Sequence, residues 1–290
     1  MTEKQKRINE ILTQKKAKLE YQGKSKDVYA LSNGNVLLVF GDSITGTDGK
    51  EDPGGNTNIG TKAGLGAKNL EVSTLLYALI GKKLGIPTQN VNADLKNNML
   101  EATRVETLGK GAKFKIGDKT IVGEGLEFIS RNKAWGSFLR RHLEARKGAE
   151  LTDKDGAPLV EVSIKNDEAG DPFFTREQYI KNGCVSEQDF DKATHYTKQI
   201  TKLLTDTFAK ADMELIDMKV EFGKDRKGKI LLSDEISPGS MRVLSQGKEM
   251  TKDEIYTRLM EHMNIKKRFL TNGIEKGRAN ATTSISSNGK

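Results

Sequence analysis

Residues 216–242 read IDMKVEFGKDRKGKILLSDEISPGSMR, two apolar runs separated by a turn of Gly, Lys and Asp. The first run alternates: Ile216, Met218, Val220 and Phe222 share one face, and Lys219 and Glu221 share the other. Such a pattern belongs to an antiparallel hairpin with one buried face, so it commits this part of the chain to a sheet. The return arm carries Ile230, Leu232 and Asp234 at one parity. If an odd residue of the first arm pairs with an even one of the second, Glu221 and Asp234 project from the same face. Two like charges on one face repel, and a cation would relieve them. Spacing alone leaves a merely solvated outer face equally open.

The chain has 290 residues, enough for one large domain or two modest ones. No apolar run approaches the roughly 18–20 residues that span a bilayer. The first twenty residues are charged throughout, without the apolar centre of a secretory signal. Cys184 is the only cysteine, which excludes a disulfide framework and a cysteine zinc cage. These features point to the cytoplasm. A net charge of +8 suggests anionic partners. Nucleic acid is not expected among them, because aromatics make up only 6% and the basic residues are scattered rather than interleaved with stacking groups. The isolated histidines 142, 195 and 262 lack ligand spacing. The sequence sets no oligomeric state, and a homo-oligomer is compatible with it.

Along the chain, residues 3–19 read as an amphipathic helix with Ile8, Ile11, Leu12 and Leu19 as its stripe. YQGKSKDVYAL and NVLLVFGD read as strands around an Asn33-Gly34 turn. Residues 41–69 read as a long polar, glycine-rich loop. Helices are expected over 70–84, 135–147, 187–212 and 251–269, and strands over 98–108, 112–116, 119–130 and LVEVSIKND. Residues 271–290 are poor in apolar side chains and read as a flexible tail.

Several short motifs could carry chemistry. GLGAK at 64–68 hints at a phosphate loop, but the Walker pattern is incomplete. GKSK at 23–26 is a glycine turn with two lysines, suited either to nucleotide phosphates or to a solvated hairpin. SRNKAWGSFLRR brings Arg131 and Ser137 to a helix start, a physically sound place for a phosphate, and Arg242 follows SPGSM as a second clamp.

In this order, YQGKSKDVY, DSITGTDG, EFISRNKAWGS, VSIKNDEAGDP, MKVEFG and SDEISPGSMRV resemble the SAICAR synthetase family over about residues 21–244. The resemblance implies an α+β fold of two lobes, a small antiparallel β-rich ATP-binding lobe and a larger one, with ATP in the cleft between them. It places the lobes at 1–122 and 123–270. It implies an ATP- and Mg²⁺-dependent ligase joining the carboxylate of carboxyaminoimidazole ribonucleotide to L-aspartate. By the same resemblance, Lys24 and Lys26 cover the ATP phosphates, Lys219 contacts the nucleotide, and Glu221 and Asp234 bind Mg²⁺. Arg131, Ser137 and Arg242 hold the substrate 5′-phosphate. Asp48 is a substrate-side acid, and Lys165 lies near the transferred phosphoryl group.

The chain also departs from the family pattern. Ser237-Pro238-Gly239 replaces an SPD motif, RVLSQG replaces an aromatic continuation, and the 41–69 segment is longer and richer in glycine. All three departures fall on the substrate side. Two alternatives follow: a ligase of the same fold with a changed nucleotide or amine, and a non-catalytic nucleotide- or RNA-binding protein.

Overall fold

A computed structural model describes residues 3–47, 49–52 and 57–263. Helix α1 (Glu3–Gln14) leads into strands β1 (Lys18–Gln22), β2 (Lys26–Ala30) and β3 (Val36–Phe40). After β4 (Ser43–Thr47), β5 (Lys50–Glu51) and β6 (Thr57–Thr61) come α2 (Leu65–Leu84), β7 (Asn90–Asp94) and β8 (Met99–Ala102). Strands β1, β2, β3, β8 and β7 form one antiparallel sheet in that order. Strand β9 (Glu106–Thr107), the hairpin β10 (Lys113–Ile116) and β11 (Lys119–Val122), and β12 (Leu126–Arg131) follow. Next are α3 (Ser137–Arg141), β13 (Leu159–Ile164), α4 (Arg176–Lys181) and α5 (Glu187–Ala209). The chain continues through β14 (Glu214–Lys224), β15 (Ile230–Ser233), β16 (Met241–Ser245), β17 (Lys248–Glu249) and α6 (Lys252–Met263). The larger sheet runs β13-β12-β14-β16-β17, with β15 and β9 also paired to β14. The α+β expectation holds.

Helix α2 explains how the two sheets stay together. Its sequence LLYALI is apolar on more than one side, as a helix buried between layers requires. Leu70 packs with Val36, Leu38, Phe40 and Leu100 of the first sheet. Val72, Leu76, Tyr77 and Ile80 join the core of the second. That core fills the apolar face of the larger sheet against α5, where Phe128 meets Phe222 and Phe190 at 5.4 and 5.8 Å between ring centres. Ser186 starts α5 by accepting the amide of Asp189 at 3.1 Å, satisfying a free helix-end donor. Phe114, on the β10–β11 hairpin, meets Phe174 at a tilt and Tyr179 edge-on, and β9 pairs with β14, so residues 106–122 pack with the second sheet.

Several expectations are corrected. Helix α1 stops at Gln14, Lys16 takes a left-handed backbone (φ 49°), and Leu19 lies 54% exposed in β1 instead of on a helix stripe. The 41–69 stretch is no simple loop: β5, β4 and β6 form a small sheet of their own, favoured by Ile44, Thr45, Thr57 and Ile59. Helix α2 then begins at Leu65, five residues before its expected start, so GLGAK is its first turn. There the carboxylate of Asp42 accepts from the amides of Gly64 (3.1 Å) and Gly66 (2.9 Å), which gives the motif a structural explanation. A Cβ on Gly66 would come within 2.6 Å of the Gly41 carbonyl oxygen, so no other residue fits. In the 135–147 segment only Ser137–Arg141 is helical, because Phe138 is its one buried anchor and His142 leaves helical geometry. The 98–108 and 119–130 stretches break at residues 103–105 and at Gly123 and Gly125. Helix α6 is described to Met263; the remainder of its expected span and the tail at 271–290 lie outside the described residues.

Candidate active site

The register of the larger sheet builds the site floor. Side chains paired across antiparallel strands point to the same face. One row therefore reads Ser163, Glu127, Glu221, Ser233 across β13, β12, β14 and β15. Two residues along lies Glu161, Ile129, Lys219. Two further along lies Leu159, Arg131, Asp217, Arg242, the last from β16. Four residues of β14 separate the outer rows, about 13 Å at the usual rise per strand residue. A carboxylate–lysine cluster stands at one end and an arginine cluster at the other.

Glu127 and Glu221 are direct cross-strand partners, a repulsive arrangement unless cations intervene. Lys219 Nζ supplies one, donating to Glu127 at 2.8 Å and Glu221 at 3.1 Å. Lys165, just after β13, adds a second donation to Glu221 at 3.2 Å. Ser163 donates to the other oxygen of Glu127 at 3.1 Å. From the first sheet, Lys26 reaches Asp234 at 2.7 Å and Glu235 at 3.9 Å. Lys24 stands apart, half-exposed, and pairs with Asp167 at 2.5 Å. The glycine before these lysines is required by close approach: a Cβ on Gly23 would lie 2.5 Å from the Lys26 carbonyl oxygen.

The register proposed for Glu221 and Asp234 is corrected. Glu221 pairs with Ser233, odd with odd, so a continued strand would turn Asp234 to the far face. The strand instead ends at Ser233, and Asp234 adopts φ 64°, a left-handed conformation that aspartate tolerates better than most residues. Tyr77 and Gln89 fix this bend by donating to the Asp234 carbonyl at 2.8 and 3.1 Å. The carboxylate is thereby returned to the lysines.

Titration follows from this clustering. Burial pushes the Asp234 carboxyl up, but Lys26, Lys165 and Lys219 together outweigh it and hold the group well below the usual range. Its neighbour Glu235 moves the other way: burial raises it, against the pull of Lys26. Glu221 holds the Lys165 ammonium well above its ordinary value despite burial. For Lys26 and Lys219, burial favours loss of the proton, and the surrounding carboxylates more than offset it. All three shifts favour the charged ammonium of Lys26, Lys165 and Lys219, each set against a neighbouring carboxylate.

At the arginine end, Arg131 is 1% exposed. It donates to Glu161 (2.6 Å), Asp217 (3.0 Å) and Ser137 (2.9 Å). Arg242 donates to the same oxygen of Asp217 at 2.7 Å and to Asp52 at 2.5 Å. Arg131, Ser137 and Arg242 are thus together. Gly136 packs against the Arg242 guanidinium, where a Cβ would come within 2.7 Å, and its φ of 51° favours glycine as well. Asp48 lies outside the described residues.

Sequence reasoning passed over Glu127, Glu235 and Asp217. The alternation in LEFISR carried the signal for Glu127, which has the parity of Arg131. Among the described residues, no three His, Cys, Asp or Glu side chains are placed to cage a metal. Mg²⁺ binds through one or two carboxylates plus phosphate and water oxygens, so it needs no such cage. The side chains present fit that demand: the carboxylates of Glu221 and Asp234 offer hard oxygens, and among the described residues Glu235 Oε2 is buried without a hydrogen-bond partner.

Fold and site together define an α+β protein with a lysine–carboxylate cluster and an arginine cluster on one sheet face, the parts of an enzyme acting on phosphorylated substrates. A family model for SAICAR synthetase matches residues 19–269. The phosphoribosylaminoimidazole-succinocarboxamide synthase of Clostridium tetani is 35% identical over 228 residues, 78% of this chain and 92% of that protein. The synthase of Campylobacter concisus is 37% identical over 229 residues, 78% of this chain and 84% of the relative. A SAICAR synthetase solved in complex with ADP superposes with a TM-score of 0.68 at 26% identity, covering 83% of this chain and 97% of that one. The chain belongs to the SAICAR synthetase family, ATP-dependent carbon–nitrogen ligases of purine biosynthesis.

Proposed function

We propose that this chain joins the carboxylate of carboxyaminoimidazole ribonucleotide to the amino group of L-aspartate, consuming ATP, in the cytoplasm. The observation that carries the reading is the shared sheet face: a phosphate-neutralising cluster and an arginine pair, about 13 Å apart along β14. That spacing lets one nucleotide lie with its 5′-phosphate on Arg131, Ser137 and Arg242 and its carboxylate toward the lysines. The relative solved with ADP supports the nucleotide assignment.

A carboxylate is a poor electrophile. Its oxygen attacks the γ-phosphorus of ATP, the bond to the β-phosphate oxygen breaks, and ADP leaves. The acyl phosphate is then attacked at carbon by the aspartate amine, and inorganic phosphate departs with one former carboxylate oxygen. Phosphoryl transfer of this kind depends on positioning and charge neutralisation more than on a reactive side chain. Lys26 and Lys24 are assigned to the ATP phosphates, Lys219 to the nucleotide and Lys165 to the transferred group. Glu221 and Asp234 are assigned to Mg²⁺, with Glu235 beside them; the bound ion would neutralise phosphate charge. Asp48 is assigned to the substrate side.

Gly239 favours a second reading, a ligase of this type with an altered substrate. ADP release with the imidazole carboxylate nucleotide and a panel of amino acids separates the two. Turnover with L-aspartate supports the first, and turnover only with another amine supports the second.

A further inference from the structure

The arginine cluster contains a carboxylate that does not come from the sheet. Asp217 lies in the interior of β14, 3% exposed, hydrogen-bonded into the ladder on both sides, and cannot withdraw from the arginines. Asp52 is different. It follows β5 in the small three-strand sheet, which among the described residues pairs with neither larger sheet. Its side chain occupies Nη2 of Arg242 at 2.5 Å. The preceding residue, Glu51, faces the second buried cation of the same region, Lys252, at 3.6 Å. Glu51, Arg242 and Lys252 line one cavity of about 140 Å³.

The charges make this contact consequential. Among the described residues, Arg131, Arg141 and Arg242 are matched by Asp217, Glu161 and Asp52, so their charges balance with Asp52 in place. A dianionic phosphate gains little from a balanced cluster, whereas departure of Asp52 leaves a net positive charge and an open guanidinium donor. We propose that Asp52, assisted by Glu51, is an internal counter-anion that exchanges with the phosphate of the anionic substrate at Arg242, so residue 52 sets the affinity of that subsite. The proposal rests on the assignment of Arg242 to a substrate phosphate. Among the described residues no strand ladder joins the small sheet to the other two, so Asp52 can exchange without breaking their ladders.

The test is calorimetric titration of the full chain with inorganic phosphate at fixed ionic strength. Asp52→Asn should bind phosphate about tenfold more tightly than the unaltered chain, the low end for releasing one charge-assisted hydrogen bond. Asp52→Ser should do the same, which keeps the test open if one variant fails to fold. Arg242→Gln should remove the gain in either background, separating this subsite from the lysine cluster. Unchanged or weaker binding in both Asp52 variants, a gain that survives Arg242→Gln, or no phosphate binding by any of them overturns the proposal. No turnover is needed, so the result stays readable even if the ligase reaction fails.

Discussion

Arg131 and Arg242 converge on a single oxygen: Oδ2 of Asp217 accepts from Nη1 of each, at 3.0 and 2.7 Å. Two guanidinium groups so close would repel without that carboxylate, and Arg131 has almost no access to water. Asp217 is therefore what allows an arginine pair to exist on the sheet. Asp217→Asn leaves a buried charge uncompensated and should destabilise the fold by about 3–5 kcal/mol. Urea unfolding measures this, and a loss below about 1 kcal/mol would show that the neighbouring carboxylates suffice.

Glu221→Gln and Asp234→Asn should each abolish ATP turnover while the folded state survives. Each removes a negative charge assigned to Mg²⁺. Asparagine also tolerates the left-handed backbone at position 234, so the bend should persist. ADP release and thermal unfolding are read together; magnesium-dependent activity at the normal rate in both variants contradicts the assignment.

The depressed Asp234 carboxyl has a definite pH signature. A carboxylate lowered in the native state stabilises the fold fully above its unfolded value, about 4. That stabilisation is lost as pH falls through the lower native value, in the strongly acid range. Lys26 is the largest of the charges lowering it. Lys26 also opposes the raised Glu235 carboxyl, so the stability difference between the unaltered chain and Lys26→Met should narrow once as Glu235 takes up its proton and again below about 4 as Asp234 does. A difference independent of pH down to the acid limit would contradict the pairing.

Gly239→Asp tests the departure from the family pattern. A Cβ there would meet Ser237 Oγ at 3.3 Å, Asn69 Nδ2 at 3.8 Å and Lys252 Cε at 4.0 Å, so a small shift admits it. The new carboxylate would lie near buried Lys252, and folding should be unaffected. If the chain uses the family's substrates, turnover with L-aspartate should be retained or mildly raised. Strong inhibition of a protein that unfolds normally points to the altered-substrate ligase.

Local alternation made the floor of this site legible in part. Ile216, Met218, Val220 and Phe222 announced the buried face of β14, and Lys219 and Glu221 the working face. The partner of Glu221 was not legible, because Glu127 lies on a strand whose pairing is fixed by the core between sheet and α5. Nor was the bend at Asp234, which depends on Tyr77 and Gln89 donating from far away in sequence. The small sheet of β4–β6 escaped notice because its glycines and polar side chains resemble a loop, and its pairing leaves most of β6 exposed. Patterns report which face a residue takes; they are silent on non-local register.

Phosphorylation of the substrate carboxylate leaves an isotopic signature in the released phosphate. Carboxyaminoimidazole ribonucleotide labelled with ¹⁸O in both carboxylate oxygens is incubated with the full chain, ATP, Mg²⁺ and L-aspartate, and the released phosphate is analysed by mass spectrometry. An acyl phosphate pathway gives one ¹⁸O in each phosphate released and one ADP for each amide formed. Phosphate free of label, or no turnover while ATP remains bound, would contradict it.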